Sequence, residues 1–218
     1  KINLSLTVNS SQKNNLHEIQ SYFCLINLTD KIKLKKIKEK KDKISFKGPF
    51  AKLVNKSNNS VINLIKMLRR SGLISDYYSV TVFKNIPVFA GLGGGTGNAA
   101  VILKHLCKEK MNKKLLNKVE KTVGSDLRLF FYDQGFLKNL QTIRDFKRKQ
   151  KLFFVLIQPN IKCSTKEIYS NVKKFSKKKL FKKDAIKNKL RFISYLSKSS
   201  NDLQSIVEKK YPKIKELL

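Results

Sequence analysis

Along residues 2–8 apolar and polar side chains alternate, Ile2, Leu4, Leu6 and Val8 against Asn3, Ser5 and Thr7, and this period of two predicts a half-buried strand. The polar stretch 9–15 that follows reads as a loop. Residues 18–28 return to β-rich side chains (Ile19, Tyr22, Phe23, Ile26), and 31–46 holds two charged, alternating stretches around a turn at 38–43. Together these predict an antiparallel sheet. Val61, Ile62, Leu64, Ile65 and Leu68 fall at helical spacing over 58–68, with Gly72 placed to stop the helix. A strand is expected at 77–83, then a break at Pro87 and a glycine cluster, then a helix over 98–108 carrying Ala99, Ala100, Ile102, Leu103 and Leu106.

A shorter helix is expected at 113–122 and an extended apolar stretch at 127–132, before a charged crossing at 144–151. The domain boundary is expected within that crossing, dividing the chain into 1–148 and 149–218. The second part opens with an expected strand at 152–158 and continues with helices at 165–175, 183–196 and 202–209. No strand follows them, so a sheet there would be incomplete. The order of elements is that of an α+β protein.

The 218 residues, 41% of them apolar, suffice for one substantial core or two small ones. The 48 Lys and Arg against 15 Asp and Glu give a formal charge of +33, a balance that points to polyanions. Most of the excess is Lys, spread through almost every segment beside many Ile, Asn and Phe, as an AT-rich coding sequence drifts at exposed positions. With no zinc-finger spacing, basic zipper or aromatic RNA-binding signature, no specific nucleic-acid partner is expected. Cys24, Cys107 and Cys163 lie far apart without CxxC spacing, as buried thiols in a reducing compartment do. The opening KINLSLTV is too short for a signal-peptide core and no apolar run is long enough to span a bilayer, so a soluble, cytoplasmic protein is expected, as monomer or homodimer.

The most informative segment is AGLGGGTGNAA, residues 90–100, in which five glycines surround Thr96 and small residues open a helix. Glycines remove side chains where a backbone must approach something closely. Exposed N–H groups in such a loop, with the positive end of the following helix dipole, suit a phosphate. The Thr96 hydroxyl is placed to bond phosphate or help hold a magnesium ion. The segment is neither a Walker A loop, which ends in Gly-Lys-Ser/Thr, nor a dinucleotide fingerprint with a downstream ribose acid.

PVFAGLGGGTGNAA resembles the proline, glycine loop and helix start of the GHMP kinases, and its triple glycine, hydroxyl residue and Asn-Ala-Ala resemble the diphosphocytidyl-methylerythritol kinase version. KINLSLTV is similar to that family's opening strand, VGSDLRLFF (residues 123–131) to its glycine, Ala or Ser, aspartate motif, and NDLQ (residues 201–204) to an element of its second domain. The resemblance implies a GHMP kinase fold, with an N-terminal domain like domain 2 of ribosomal protein S5 and a partial ferredoxin-like C-terminal domain. It implies ATP and Mg²⁺ as cofactors and phosphorylation of the 2-hydroxyl of a cytidine diphosphate-linked methylerythritol, a step of non-mevalonate isoprenoid synthesis. Family members usually carry residues before the Lys that stands here at position 1. They finish with a Leu-Ser/Thr-Gly-Ser/Thr-Gly loop and closing strands, so a C-terminally truncated member is expected.

Carried over residue by residue, the resemblance makes Asp126 the catalytic base and Lys1 its cationic neighbour. The ATP phosphates fall to the loop of Ala90, Gly91, Leu92, Gly93, Gly94, Gly95, Thr96, Gly97 and Asn98, with Asn59 and Lys84 around the nucleotide and Thr96 toward the metal. Asn3, His17, Thr165 and Tyr169 match positions around the substrate, His17 and Tyr169 at the cytosine. Two departures stand out: Asn15 and Leu16 replace the Gly-Tyr before the family's His-Glu, and Arg128 replaces a Pro after the catalytic Asp. Another GHMP small-molecule kinase, an inactive truncated homologue and a basic nucleic-acid-binding protein are the alternative readings.

Overall fold

The computed structural model of the chain describes residues 1–12, 16–159, 161 and 163–217, and it divides into two compact units. Lys1 with residues 26–131 forms the first, and residues 2–25 with 132–217 form the second. The boundary expected at 148/149 falls inside the second unit. Chain order hides this, because the strand His17–Cys24, on which the first residues pair, itself pairs with Gln134–Asn139, more than 100 positions later.

The first unit is a three-stranded sheet covered on one face by helices. Its strands are β4 (Lys31–Ile37), β5 (Lys43–Lys47) and β6 (Tyr77–Phe83), in the order β4-β6-β5. Both Lys-rich strands form where their alternation predicts, but they do not pair with each other. β6 lies between them, antiparallel to β4 and parallel to β5. The parallel pair needs a crossover, which α1 (Ser60–Arg70) supplies. Alternation sends Ile32, Leu34, Ile44, Phe46, Val80 and Val82 to the covered face, where they meet Leu64, Ile65 and Leu68 of α1. The same cluster takes in Ile102 and Leu103 of α2 (Gly94–Cys107), and Leu115 and Val119 of α3 (Lys113–Val123).

The helix starts follow local chemistry. Asn59 accepts from the backbone N–H of Val61 and Ile62 at the head of α1, Asn112 does the same for Leu115 in α3, and Gly72 at φ 66° follows α1. α2 begins four residues earlier than expected, inside the glycine run. Residues 127–132, expected to be extended, instead form a 3-10 turn over Leu127–Phe131, closed by bonds such as Leu129 N–H to Asp126 O at 3.0 Å.

In the second unit β1 (Ile2–Asn3) and β2 (Thr7–Ser11) both pair with β3 (His17–Cys24), which pairs on its other side with β7 (Gln134–Asn139) and through it with β8 (Thr142–Asp145). The strand expected over 2–8 is thus two pieces, and strand continues to Ser11 where a loop was expected; residues 13–15 of that loop lie outside the described residues. The core is aromatic: Tyr22, Phe136, Phe146 and Phe192 are buried together, with Phe181 and Tyr195 packed on them. α4 (Thr165–Ser170), α5 (Lys189–Ser197), α6 (Gln204–Lys210) and α7 (Pro212–Lys215) complete the unit. The strand expected at 152–158 does not form among the described residues: Phe153, Val155 and Ile157 are exposed and join no ladder. An apolar β-branched run supplies strand propensity, but a ladder also needs a partner edge.

Candidate active site

The first unit gathers one group of the expected residues around the glycine loop. Gly93 takes φ 70° as the last residue before α2, and Gly94 to Gly97 form that helix's first turn, so the loop's N–H groups belong to a helix N-terminus. A Cβ on Gly97 would stand 2.8 Å from Phe130 Cε1, so the ring occupies space that only glycine leaves open. Phe89, ahead of the loop, takes φ 64° although it is not glycine, and its side chain is exposed.

Asp126 and Lys1 meet beside this loop. Lys1 Nζ lies 2.9 Å from Asp126 Oδ2, with the Lys side chain 4% exposed and the Asp side chain 32% exposed. The main-chain nitrogen of Lys1 donates to Leu92 O in the loop at 3.1 Å. A Cβ on Gly93 would be 4.0 Å from Asp126 Oδ2, which sets the carboxylate against the entry to α2. Thr96 Oγ1 donates to Val123 O at 3.2 Å and ties α2 to the turn that presents Asp126. Gly124, at φ 130°, lets the chain turn there. Arg128, where the resemblance leads one to expect Pro, is fixed by its own bonds: Nε donates to Glu120 Oε1 at 2.6 Å and Nη2 to Asn117 Oδ1 at 2.5 Å. The turn after Asp126 is thus held to α3 by a charge-assisted pair instead of a pyrrolidine ring.

The remaining expected nucleotide residues have structural engagements of their own. Asn59 Oδ1 caps α1, while its Nδ2 donates to Asn55 O at 2.8 Å. Lys84 and Asn98 are buried, and both end on Asp30, a residue that no motif in the sequence marks. An Asp just before a strand reads as a solvated turn residue, and no spacing in the chain marks it as buried. Phe130 was missed for the same reason: its role is a volume that shows only once the chain is folded.

The second unit holds the other group. His17 opens β3, and its ring centroid lies 5.2 Å from that of Tyr169 on α4 and 6.3 Å from that of Phe175. His17 and Tyr169 are therefore neighbours, and Phe175 is an additional aromatic there. Glu18 accepts from Lys178 Nζ at 2.9 Å and from Ser10 Oγ at 3.3 Å. Asn3 pairs in register with Phe23, and Thr165 is the exposed first residue of α4, behind the Ser164 cap. Leu16 is 40% exposed; Asn15 lies outside the described residues.

A buried cation holding an accessible carboxylate beside a glycine-built helix N-terminus can orient an alcohol, receive its proton and neutralise phosphate charge. Among the described residues no cluster of three or more His, Cys, Asp or Glu is arranged to hold a metal ion, and no helix is long and apolar enough to cross a membrane.

No family model matches the chain. Individual proteins do. The chain is 36% identical over 222 residues to the 4-diphosphocytidyl-2-C-methyl-D-erythritol kinase of Pelagibacter ubique, covering 100% of this chain and 77% of that protein. It is 31% identical over 230 residues to the kinase of the same name from Buchnera aphidicola, covering 100% and 75%. Among solved structures it matches a 4-(cytidine 5'-diphospho)-2C-methyl-D-erythritol kinase with a TM-score of 0.66 at 20% identity, over 99% of this chain and 78% of that one, and so shares its α+β fold. Kinases of this kind use ATP as phosphoryl donor. With more than three tenths of its residues identical to relatives aligned along its whole length, the chain belongs to the 4-diphosphocytidyl-2-C-methyl-D-erythritol kinase family.

Proposed function

We propose that this chain transfers the γ-phosphoryl group of ATP to the 2-hydroxyl of 4-diphosphocytidyl-2-C-methyl-D-erythritol, with Mg²⁺. The observation that carries the reading is the Lys1–Asp126 pair at 2.9 Å beside the glycine loop. The Asp126 carboxylate accepts the proton of the 2-hydroxyl as its oxygen bonds to the γ-phosphorus, and the bond from that phosphorus to the oxygen of the departing ADP breaks. Lys1 holds the carboxylate in place and offsets negative charge on the transferring group. The N–H groups at the head of α2 hold the ATP phosphates. A magnesium ion suits a site made of substrate phosphates and few protein ligands. Thr96, whose proton is engaged by Val123 O, keeps oxygen lone pairs for it. When bound, the ion neutralises phosphate charge.

On the substrate side, His17 reads the edge of the cytosine, a neutral imidazole being able both to donate and to accept, and Tyr169 supplies an aromatic face. Asn3 and Thr165 serve the remaining polar groups of the substrate. The dispersed Lys charge favours approach of two anionic substrates.

ADP release by the purified chain with Mg-ATP, with and without 4-diphosphocytidyl-2-C-methyl-D-erythritol, tests the reading. Release that requires this substrate supports it. Release that requires a different small alcohol, or none with either, refutes the substrate assignment.

A further inference from the structure

We infer that Asp30 is a positioning residue for the glycine loop: its buried carboxylate fastens the chain on both sides of the loop and thereby sets how tightly the loop holds nucleotide. The inference rests on the kinase reading above. The Asp30 side chain is 1% exposed and gathers four donors. Oδ1 accepts from the main-chain N–H of Asn85 and of Ile86, each at 2.8 Å. Oδ2 accepts from Asn98 Nδ2 at 2.8 Å and pairs with Lys84 Nζ.

The placement of these donors along the chain is what matters. Residues 84–86 lead into the loop, and Asn98 follows directly on Gly97 at its far side. One carboxylate therefore bonds the strand exit that enters the loop and the helix turn that leaves it. The segment between contains five glycines, the residue type with the most backbone freedom, so its conformation is defined only if its ends are fixed. The ammonium of Lys84 is part of the same arrangement: a Cβ on Gly94 would stand 3.2 Å from it, so Asp30 holds this cation directly behind the first residue of α2.

A general contribution to stability explains the group less well. A buried ion pair is weak evidence for stability, because desolvation of both charges offsets their attraction, and apolar residues of similar volume often serve as well. The two main-chain bonds and the Asn98 bond lie outside the pair itself, and all of them flank the loop. Asp30→Asn keeps the shape but leaves one oxygen for four donors and turns an amide toward the others.

The test uses the full chain, with calorimetric titration of Mg-ATP and, separately, of 4-diphosphocytidyl-2-C-methyl-D-erythritol, and with hydrogen exchange of the nucleotide-free protein. In Asp30→Asn, affinity for Mg-ATP should fall about tenfold or more, as for loss of a charge-assisted hydrogen bond, with affinity for the cytidine ligand retained. Amides 91–97 should exchange faster than in the parent while the core of the first unit keeps its protection. Asn98→Ala, which removes only one donor, should shift both readouts in the same direction by less, and it serves if Asp30→Asn does not fold. Unchanged nucleotide affinity and loop exchange would overturn the inference, as would a parallel loss of both ligands with exchange rising throughout the unit. A parent chain that binds no Mg-ATP would instead remove the kinase reading, and with it this inference.

Discussion

Lys1 Nζ and Asp126 Oδ2 stand 2.9 Å apart, but they are not equally open to solvent: the cation is almost fully buried and the carboxylate is a third exposed. A buried ammonium cannot reach out to a substrate freely, whereas the carboxylate it holds remains accessible to an incoming hydroxyl. Asp126→Asn preserves the shape and removes the proton acceptor. Its turnover should be lower by about 10²–10⁴-fold, with Mg-ATP affinity retained. Comparable ADP release by that variant would exclude Asp126 as the base. Lys1→Met should lower turnover in the same direction, because the carboxylate loses its fixed partner.

How much of this was legible in the chain depends on the range over which each feature is determined. α1, α3 and β6 were read within about two residues because amphipathic spacing and the Asn59 and Asn112 caps are local. The order of β4, β6 and β5 was not legible, because strands 31–37 and 43–47 look like a hairpin until the later strand takes the place between them. The glycine loop and Asp126 carried their chemistry in residue type, so they stood out. Asp30 did not, since nothing near it in sequence distinguishes a buried carboxylate with four donors from a solvated one. The apolar run 152–158 has strand propensity alone, and no pairing partner exists for it among the described residues.

Gly97 faces Phe130 so closely that an added methyl has no room, its carbon falling 2.8 Å from Cε1 and 3.0 Å from Cδ1. The ring packs against the first unit's core. Gly97→Ala should therefore destabilise the protein by about 1–3 kcal/mol, the range for overpacking. Gly97→Ala combined with Phe130→Leu should recover part of that loss, read as a non-additive coupling in chemical denaturation. Additive effects would mean that the backbone, and not the ring, limits this position.

Phe89 holds a left-handed conformation, φ 64°, and the residue is 54% exposed. For a bulky L-residue that conformation costs roughly 1–2 kcal/mol, and the exposed ring recovers little by packing. Glycine relieves the strain but adds about 0.5–1 kcal/mol of unfolded-state entropy. Phe89→Gly should therefore be stabilising by roughly 0.5–1 kcal/mol in denaturant melts. A loss of nucleotide affinity in the same variant would show that residue 89 also serves the loop, through its ring or through the backbone freedom that glycine adds at the loop's entry.

Cys24 ends β3 with its side chain buried, and burial pushes its thiol up from 9.0 to about 11. The unfolded chain ionises this thiol first as pH rises, so between pH 9 and 11 the unfolded state binds fewer protons than the folded one. Stability must then fall with rising pH, by at most about 1.4 kcal/mol per pH unit for this one group. Burial raises the thiols of Cys107 and Cys163 and the phenol of Tyr22 in the same direction. Tyr22 starts from 10.0, so measurements between pH 9 and 10 weight the thiols. Cys24→Ala removes one contributor, and its stability should fall less steeply across that interval whatever its absolute stability, because a small cavity shifts the whole curve without changing its slope. Parent and variant slopes that coincide would mean that Cys24 titrates alike in the folded and unfolded chains, and that its site is wetter than its burial indicates.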